Sequence, residues 1–317
     1  LEAVGGRAEV ARTITAVVWN STATLTNDDL QGLGNPNLLV YVSSSELAPE
    51  GRDNVVINGV AKSVRLTDAT TGNNNFYVPQ TFMAEQISYE REFTQSTQVG
   101  VSRGWETIAL PFTVQSISHE KRGEITPFGV DGGRHFWLRQ LGSNGLASAR
   151  NIEANTPYCI SMPNSDEYSE SYNLNGRVTF SAQDVTVPVT EDKSIVSADS
   201  TIVMVPTMQR IDRSSEVWAL NVGQVRGQYL EGSAFERDYR EVRPFEAYTV
   251  HRGSSPAAPR FVPLDELLNG ETTGIGSVDC DASAVQGTWY TIDGRKLQEK
   301  PTQKGVYIRN GKKMVVK

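Results

Sequence analysis

From about Asn54 to Val262 the sequence is a procession of short runs rich in β-branched residues, each closed by a turn cluster, with no long helical period between them. Val55-Val56-Ile57, Ser63-Val64-Arg65-Leu66, Gln86 to Phe93 and Thr107-Ile108-Ala109-Leu110 are strand-sized, as are Arg177-Val178-Thr179-Phe180 and Ile202-Val203-Met204-Val205. Asn58-Gly59, Asp131-Gly132-Gly133, Asn175-Gly176, Gly72 to Asn75 and Gly253-Ser254-Ser255-Pro256 supply the turns. Strands at such short intervals can bury their apolar faces only by stacking sheet on sheet, so this region, residues 54–268, is expected to be an antiparallel β-sandwich. Composition agrees: 33 valines, 26 threonines and 27 serines outweigh the helix formers, and the fold class is mostly β. Two stretches echo each other, Phe136 to Leu141 followed by Pro157-Tyr158, and Val217 to Val222 followed by Pro244 to Val250. Each joins a Trp-bearing strand to a Pro-led, Tyr-bearing one, which suggests two related β units.

The flanks read differently. Residues 1–53 carry Ile14, Val17, Val18 and Trp19, then Leu25, Leu30, Leu33, Leu38, Leu39 and Val40. Thr26 stands as an N-cap ahead of Asp28 and Asp29, predicting a short helix to Leu33 before the Gly34-Asn35-Pro36-Asn37 turn. Strand, helix, Asn-Pro-Asn turn and strand in that order describe one coil of a leucine-rich solenoid, a cap-like segment that cannot bury its own face. At the other end, Leu264 to Leu268 lead into a Gly/Thr/Ser linker over 270–277. Residues 274–317 then hold eight basic and four acidic side chains, a net +4 in a chain of net charge −7. Asn310-Gly311 and Asp293-Gly294 are placed as two-residue hairpin turns, so the tail is expected to be a small separate β unit.

Several function classes fall away. A chain of 317 residues that is 21% charged and net acidic lacks the basic surface duplex nucleic acid requires. The strongest apolar run, Leu38 to Val42, is far short of the ~20 residues of a membrane-spanning helix, so no transmembrane span is expected. Cys159 and Cys280 make no disulfide framework, and Cys159 is expected in the core. His119, His135 and His251 have no zinc spacing, and the turns at Asp131 and at Asn73 to Asn75 lack the alternating acidic register of a calcium loop. Neither a nucleophile elbow nor a phosphate or dinucleotide loop occurs. We therefore assign no catalytic, cofactor-binding or metal residue, leave the ligand-binding residues unknown, and expect no cofactor and no enzyme. Trp19, Trp105, Trp137, Trp218 and Trp289 are expected as core anchors in preference to a sugar-stacking platform.

Whole phrases carry a resemblance. Gly104 to Val114, Thr126-Pro127-Phe128-Gly129 and Ile152 to Ile160 together resemble a module recurrent in secreted and surface proteins of Bacteroidetes, often placed after leucine-rich repeats. Asn35 to Val42 and Asn54 to Gly59 look like the join between such repeats and the module. The tail, with Trp289 to Leu297, Lys304 to Ile308 and Asn310 to Lys317, resembles the C-terminal sorting domain of type IX secretion, and Asp199-Ser200-Thr201 fits the short O-glycosylation pattern of these bacteria. Leu1 lacks an initiator Met and a signal-like leader, so the expectation is a processed or partial chain. The resemblance implies a non-enzymatic exported module with a structural or adhesive role on the outer surface of a Gram-negative bacterium. The expected partners are an extracellular protein or glycan and, through the tail, the export machinery. The rival is a carbohydrate-binding accessory domain, or the non-catalytic end of a glycan-degrading enzyme.

Overall fold

The computed structural model describes residues 13–68, 74–99, 101–132, 134–142, 145–197, 199–225, 229–252 and 259–268, and in the tail the strand backbones of 289–291, 296–297, 305–309 and 312–316 together with Thr302. Strand β1 (Ala16–Val18) opens the chain and is followed by the short helix α1 (Asn27–Leu30). Thr26 caps that helix as its sequence position implied: the Thr26 hydroxyl accepts the Asp29 N–H at 3.3 Å, and the Asp29 carboxylate accepts the Thr26 N–H at 2.9 Å. A tighter turn over Gln31–Leu33 ends at Gly34 with φ 60°, which sends the chain into β2 (Leu39–Val42). β3 (Val55–Ile57) completes a parallel stack in which Val17, Val40 and Val55 are aligned.

Residues of β2 point alternately into two cores. Leu39 and Tyr41 join the main core, whereas Val40 and Val42 face a smaller one with Leu25, Leu30, Leu33, Leu38 and Val55. Asn58 and Gly59, with φ of 48° and 83°, turn β3 into β4 (Val60–Ala61), the two-residue hairpin their sequence predicts. β5 (Val64–Thr67) and the long β6 (Phe82–Glu92) follow, both running with parallel neighbours.

The chain continues through β7 (Glu106–Ile108), β8 (Ser116–His119), β9 (Gly123–Glu124), β10 (Thr126–Pro127) and β11 (His135–Gly142). Next come β12 (Gly145–Ser148), β13 (Tyr158–Ser161) and β14 (Arg177–Val187). Among the described residues the first sheet has nine strands in the order β1-β2-β3-β4-β6-β14-β8-β9, with β5 on β6. A second sheet, β10-β11-β13-β7 with β12 on β11, lies over its centre. Ile87, Tyr89, Val178 and Phe180 of the first sheet share one core with Ile108, Phe136, Leu138, Tyr158 and Ile160 of the second. The molecule is thus mostly β with a sandwich centre, as expected. The expected all-antiparallel pairing holds for β6, β14 and β8, while the N-terminal third of the same sheet is parallel because coil-like turns return each strand to the same direction.

A third sheet combines β15 (Ile195–Val196), β16 (Ile202–Thr207), β17 (Trp218–Leu220), β18 (Ala234–Arg237), β19 (Glu246–His251) and β20 (Phe261–Pro263) in the order β15-β16-β19-β17-β18-β20. The turn α2 (Leu264–Leu267) closes it. In both echoing stretches the Trp-bearing strand pairs antiparallel with the Tyr-bearing strand: Trp137 opposes Ser161, and Trp218 opposes Thr249. Counted from the tyrosine, the two registers differ by two residues, a shift that preserves which face each side chain occupies.

The chain divides into two compact units, Leu1–Gly274 and Ile275–Lys317. The second contains β21 (Trp289–Thr291), β22 (Lys296–Leu297), β23 (Gly305–Arg309) and β24 (Lys312–Val316), an antiparallel sheet ordered β22-β21-β23-β24. Arg309 opposes Lys312. The Asp293-Gly294 and Asn310-Gly311 turns, the 270–277 linker, Gly72, Asn73, Gly133, the 253–256 turn and Cys280 lie outside the described residues, as does the Trp289 side chain.

Candidate functional site

Three asparagines hold the coil end together. Asn54, buried with φ 63°, donates to the carbonyls of Pro36 and Arg65 at 3.1 and 3.2 Å, and its side-chain oxygen accepts the Arg65 N–H at 2.7 Å. Asn37 does the same for Thr67, donating to its carbonyl at 2.8 Å and accepting its N–H at 2.9 Å. Asn35 bridges the Ile14 and Asn75 carbonyls. A carboxamide carries one acceptor and two donors, so Asn37 and Asn54 each stand in for a neighbouring strand and close the outer edge of β5. The sequence reading took Asn35 and Asn37 only as turn residues.

The two faces of the first sheet differ sharply. On one lies the main core. On the other, the small leucine core covers β1 to β3 and then stops, leaving β5, β6 and β14 facing outward with polar residues. Arg65, Ser88 and Ser181 stand abreast there, because Arg65 opposes Ser88 and Ser88 opposes Ser181. The step between the coil turns and this polar floor is a groove of about 950 Å³. Its wall is made by Gln31, Gly34, Pro36, Arg52 and Asp53, and its floor by Arg65, Gln86, Ser88, Glu90, Ser181 and Gln183. Asp53 is matched by Arg65 at 3.4 Å and Glu90 by Arg177 at 3.7 Å. Arg52 has no such partner: its Nε is buried without a hydrogen bond, and desolvation lowers the guanidinium pKa from its ordinary value. Sequence reasoning missed Arg52. Its only trace in the sequence is the Arg52-Asp53 pair before β3, of which the acid alone finds a partner on β5.

A second charged cluster is closed. Arg91 lies buried between Glu106, bonded at 2.5 Å, and Glu246 and Asp68, each at 3.8 Å, and it donates to the Thr107 carbonyl at 2.9 Å. Arg240 bonds Glu246 at 2.7 Å. Burial alone would raise the Glu246 pKa, but Arg240 and Arg91 outweigh it and hold the carboxyl below its ordinary range. This cluster joins β6, β7 and β19 and lines a crevice of about 10 Å³, room for no more than a single water.

The other residues singled out from sequence are bound into the fold. Trp105, Trp137 and Trp218 are between 2% and 5% exposed, and Trp19 is partly buried on the coil end with its indole N–H donating to Ala23. His119 is buried, His135 meets the Thr126 hydroxyl at 3.1 Å, and His251 packs at a tilt against Trp218 with ring centroids 5.4 Å apart. Burial pushes the Cys159 thiol up to about 12, which keeps it protonated and unreactive. Asp199-Ser200-Thr201 forms the exposed turn between β15 and β16, where Asp199 accepts from the Thr201 N–H and hydroxyl and from Ser197. Among the described residues there is no group of three or more His, Cys, Asp or Glu placed to hold a metal ion, and no helix is long and apolar enough to cross a membrane. No family model, curated protein or solved structure matches the chain.

Proposed function

We propose that this chain is a non-enzymatic module of an exported surface protein of a Gram-negative bacterium, with a structural or adhesive role. One observation carries the reading: a parallel coil stack, laddered by asparagines, is fused edge-on to a large closed sandwich. Its outer strand β1 leaves Val18 46% exposed, and among the described residues no strand pairs with its outer edge. Such an arrangement joins a stack of coils to a rigid block and holds whatever the stack presents at a fixed distance. The burial of Trp105, Trp137 and Trp218 supports a load-sharing core over a stacking platform. So do the structural contacts of His119, His135 and His251, which leave none of them facing the groove.

The tail is proposed as the sorting element, on the strength of its resemblance and of its separation as a unit from Ile275 onward. The test is removal of residues 275–317 in the bacterium that makes the protein, followed by surface proteolysis and fractionation. The expected result is a folded remainder retained in the periplasm. A truncated form that reaches the surface normally, or that has lost its cooperative melt, would overturn the sorting assignment.

A further inference from the structure

The groove beside the coil end is lined by arginine, serine and glutamine side chains, whose chemistry selects a kind of ligand. We propose that it binds an acidic oligosaccharide, with Arg52 receiving the carboxylate or sulfate and the hydroxyl and amide side chains of the floor receiving the sugar hydroxyls. The inference deepens the adhesive half of the proposed function and rests on it for biological meaning, though not for the binding itself.

Four observations lead there. At about 950 Å³ the groove lies at the upper end of ligand-site sizes, large enough for an extended chain. Its acids are already matched, Asp53 by Arg65 and Glu90 by Arg177, so the charge left over on the wall is the Arg52 guanidinium. Among the described residues that guanidinium lines the groove with no carboxylate partner, so an incoming anion would meet a cation without first displacing an ion pair. The floor is supplied by Ser88, Ser181, Gln86 and Gln183, groups that both donate and accept, as sugar hydroxyls do.

A peptide fits less well. Peptides that lie along a sheet add a strand, which requires an open main-chain edge. Here the free edge of β5 is already closed by Asn37 and Asn54, while β6 and β14 pair with each other. The floor also offers no apolar pocket for peptide side chains, since the apolar residues of β5, β6 and β14 point into the core on the other face.

The test is isothermal titration of the purified full chain with four probes: tetragalacturonate, a chondroitin sulfate tetrasaccharide, neutral maltotetraose and a hexaglutamate peptide. At least one acidic saccharide should bind, about tenfold or more tighter than maltotetraose and hexaglutamate, and more weakly as salt rises. Arg52→Gln should weaken that binding about tenfold or more without changing the melting temperature. Should Arg52→Gln fail to fold, Ser88→Tyr, which fills the middle of the floor from an exposed strand face, should abolish binding. The proposal is overturned if neither acidic saccharide binds, if hexaglutamate or maltotetraose binds as tightly, or if Arg52→Gln or Ser88→Tyr folds and binds as the parent does. A protein that reaches the surface and promotes attachment yet ignores these saccharides would lose this inference alone.

Discussion

The Thr107 hydroxyl is bonded twice to one residue, donating to the Ala247 carbonyl at 2.9 Å and accepting the Ala247 N–H at 3.0 Å. A single side chain thereby takes the place of a strand edge between β7 and β19. The second and third sheets are joined here, close to the buried cluster of Arg91, Glu106 and Glu246. Thr107→Val keeps the shape and removes both bonds, leaving two buried main-chain groups unpaired at about 1–3 kcal/mol each. The expected loss is about 2–6 kcal/mol by urea denaturation. Thr107→Ser retains the hydroxyl and should lose only about 1 kcal/mol for the missing methyl.

The same joint depends on close backbone approach. Gly232 has φ 58°, and a Cβ there would lie 2.4 Å from the Trp105 carbonyl oxygen and 2.5 Å from its nitrogen. Trp105 N–H donates to the Gly232 carbonyl at 3.1 Å, so the contact cannot open without breaking the pairing. Gly232→Ala is expected to cost about 3 kcal/mol or more through clash and backbone strain. Gly223→Ala, with nothing within 4 Å of its new methyl, should stay within about 0.5 kcal/mol of the parent. Equal melting temperatures for the two variants would disprove the close-approach argument.

How much of this was legible in the sequence follows from the range of each interaction. The Thr26 capping box and the Asn58-Gly59 hairpin are set by residues a few positions apart, and each appears where the sequence places it. Strand positions were readable from β-branched runs. The parallel direction of β1 to β3 is decided by where the coil turns return the chain, and the asparagines that serve as substitute strands do so across 11 and 30 residues. Thr107 meets Ala247 across 140 residues, and nothing local distinguishes it from any other strand threonine. The groove was illegible for the same reason: Arg52, Ser88 and Ser181 become neighbours only once the ladder between β6 and β14 is formed.

The buried charges make a separate prediction. Arg91→Met removes the cation facing Glu106 and Glu246, leaving Glu106 buried with no ion-pair partner and Glu246 with Arg240 alone, and is expected to cost about 3–5 kcal/mol. Adding Glu106→Gln to that variant should recover part of the loss, because the amide oxygen still accepts the Thr94 and Gln95 N–H groups without a buried charge. The comparison of the two melting curves isolates the part of the cost that comes from the Glu106 charge. Because the Glu246 carboxyl titrates below its ordinary value when folded, its contribution is complete above about pH 4.3 and is lost as the pH falls toward its folded pKa.

A milder acid effect is expected from His119. Its Nδ1 accepts the Lys121 N–H and its Nε2 faces the Asn175 carbonyl, both at 3.2 Å, so the neutral ring with its proton on Nε2 satisfies both partners. A second proton would sit on Nδ1, where it would meet another donor. Burial, the largest influence, lowers the His119 pKa despite the help of the Asn175 carbonyl and Glu120, with Arg122 and Lys121 opposing charge as well. The sign follows: below the ordinary value of about 6.5 the unfolded chain takes up a proton that the folded chain refuses. Stability from this site is therefore complete above that pH and falls as the pH drops toward the folded pKa, with a slope of at most about 1.36 kcal/mol per pH unit for one proton. Denaturation midpoints between pH 7.5 and 5.5 should fall for the parent and fall less for His119→Gln, whose amide N–H can still reach the Asn175 carbonyl. If the two proteins lose stability in parallel over that window, His119 is not the group that senses it.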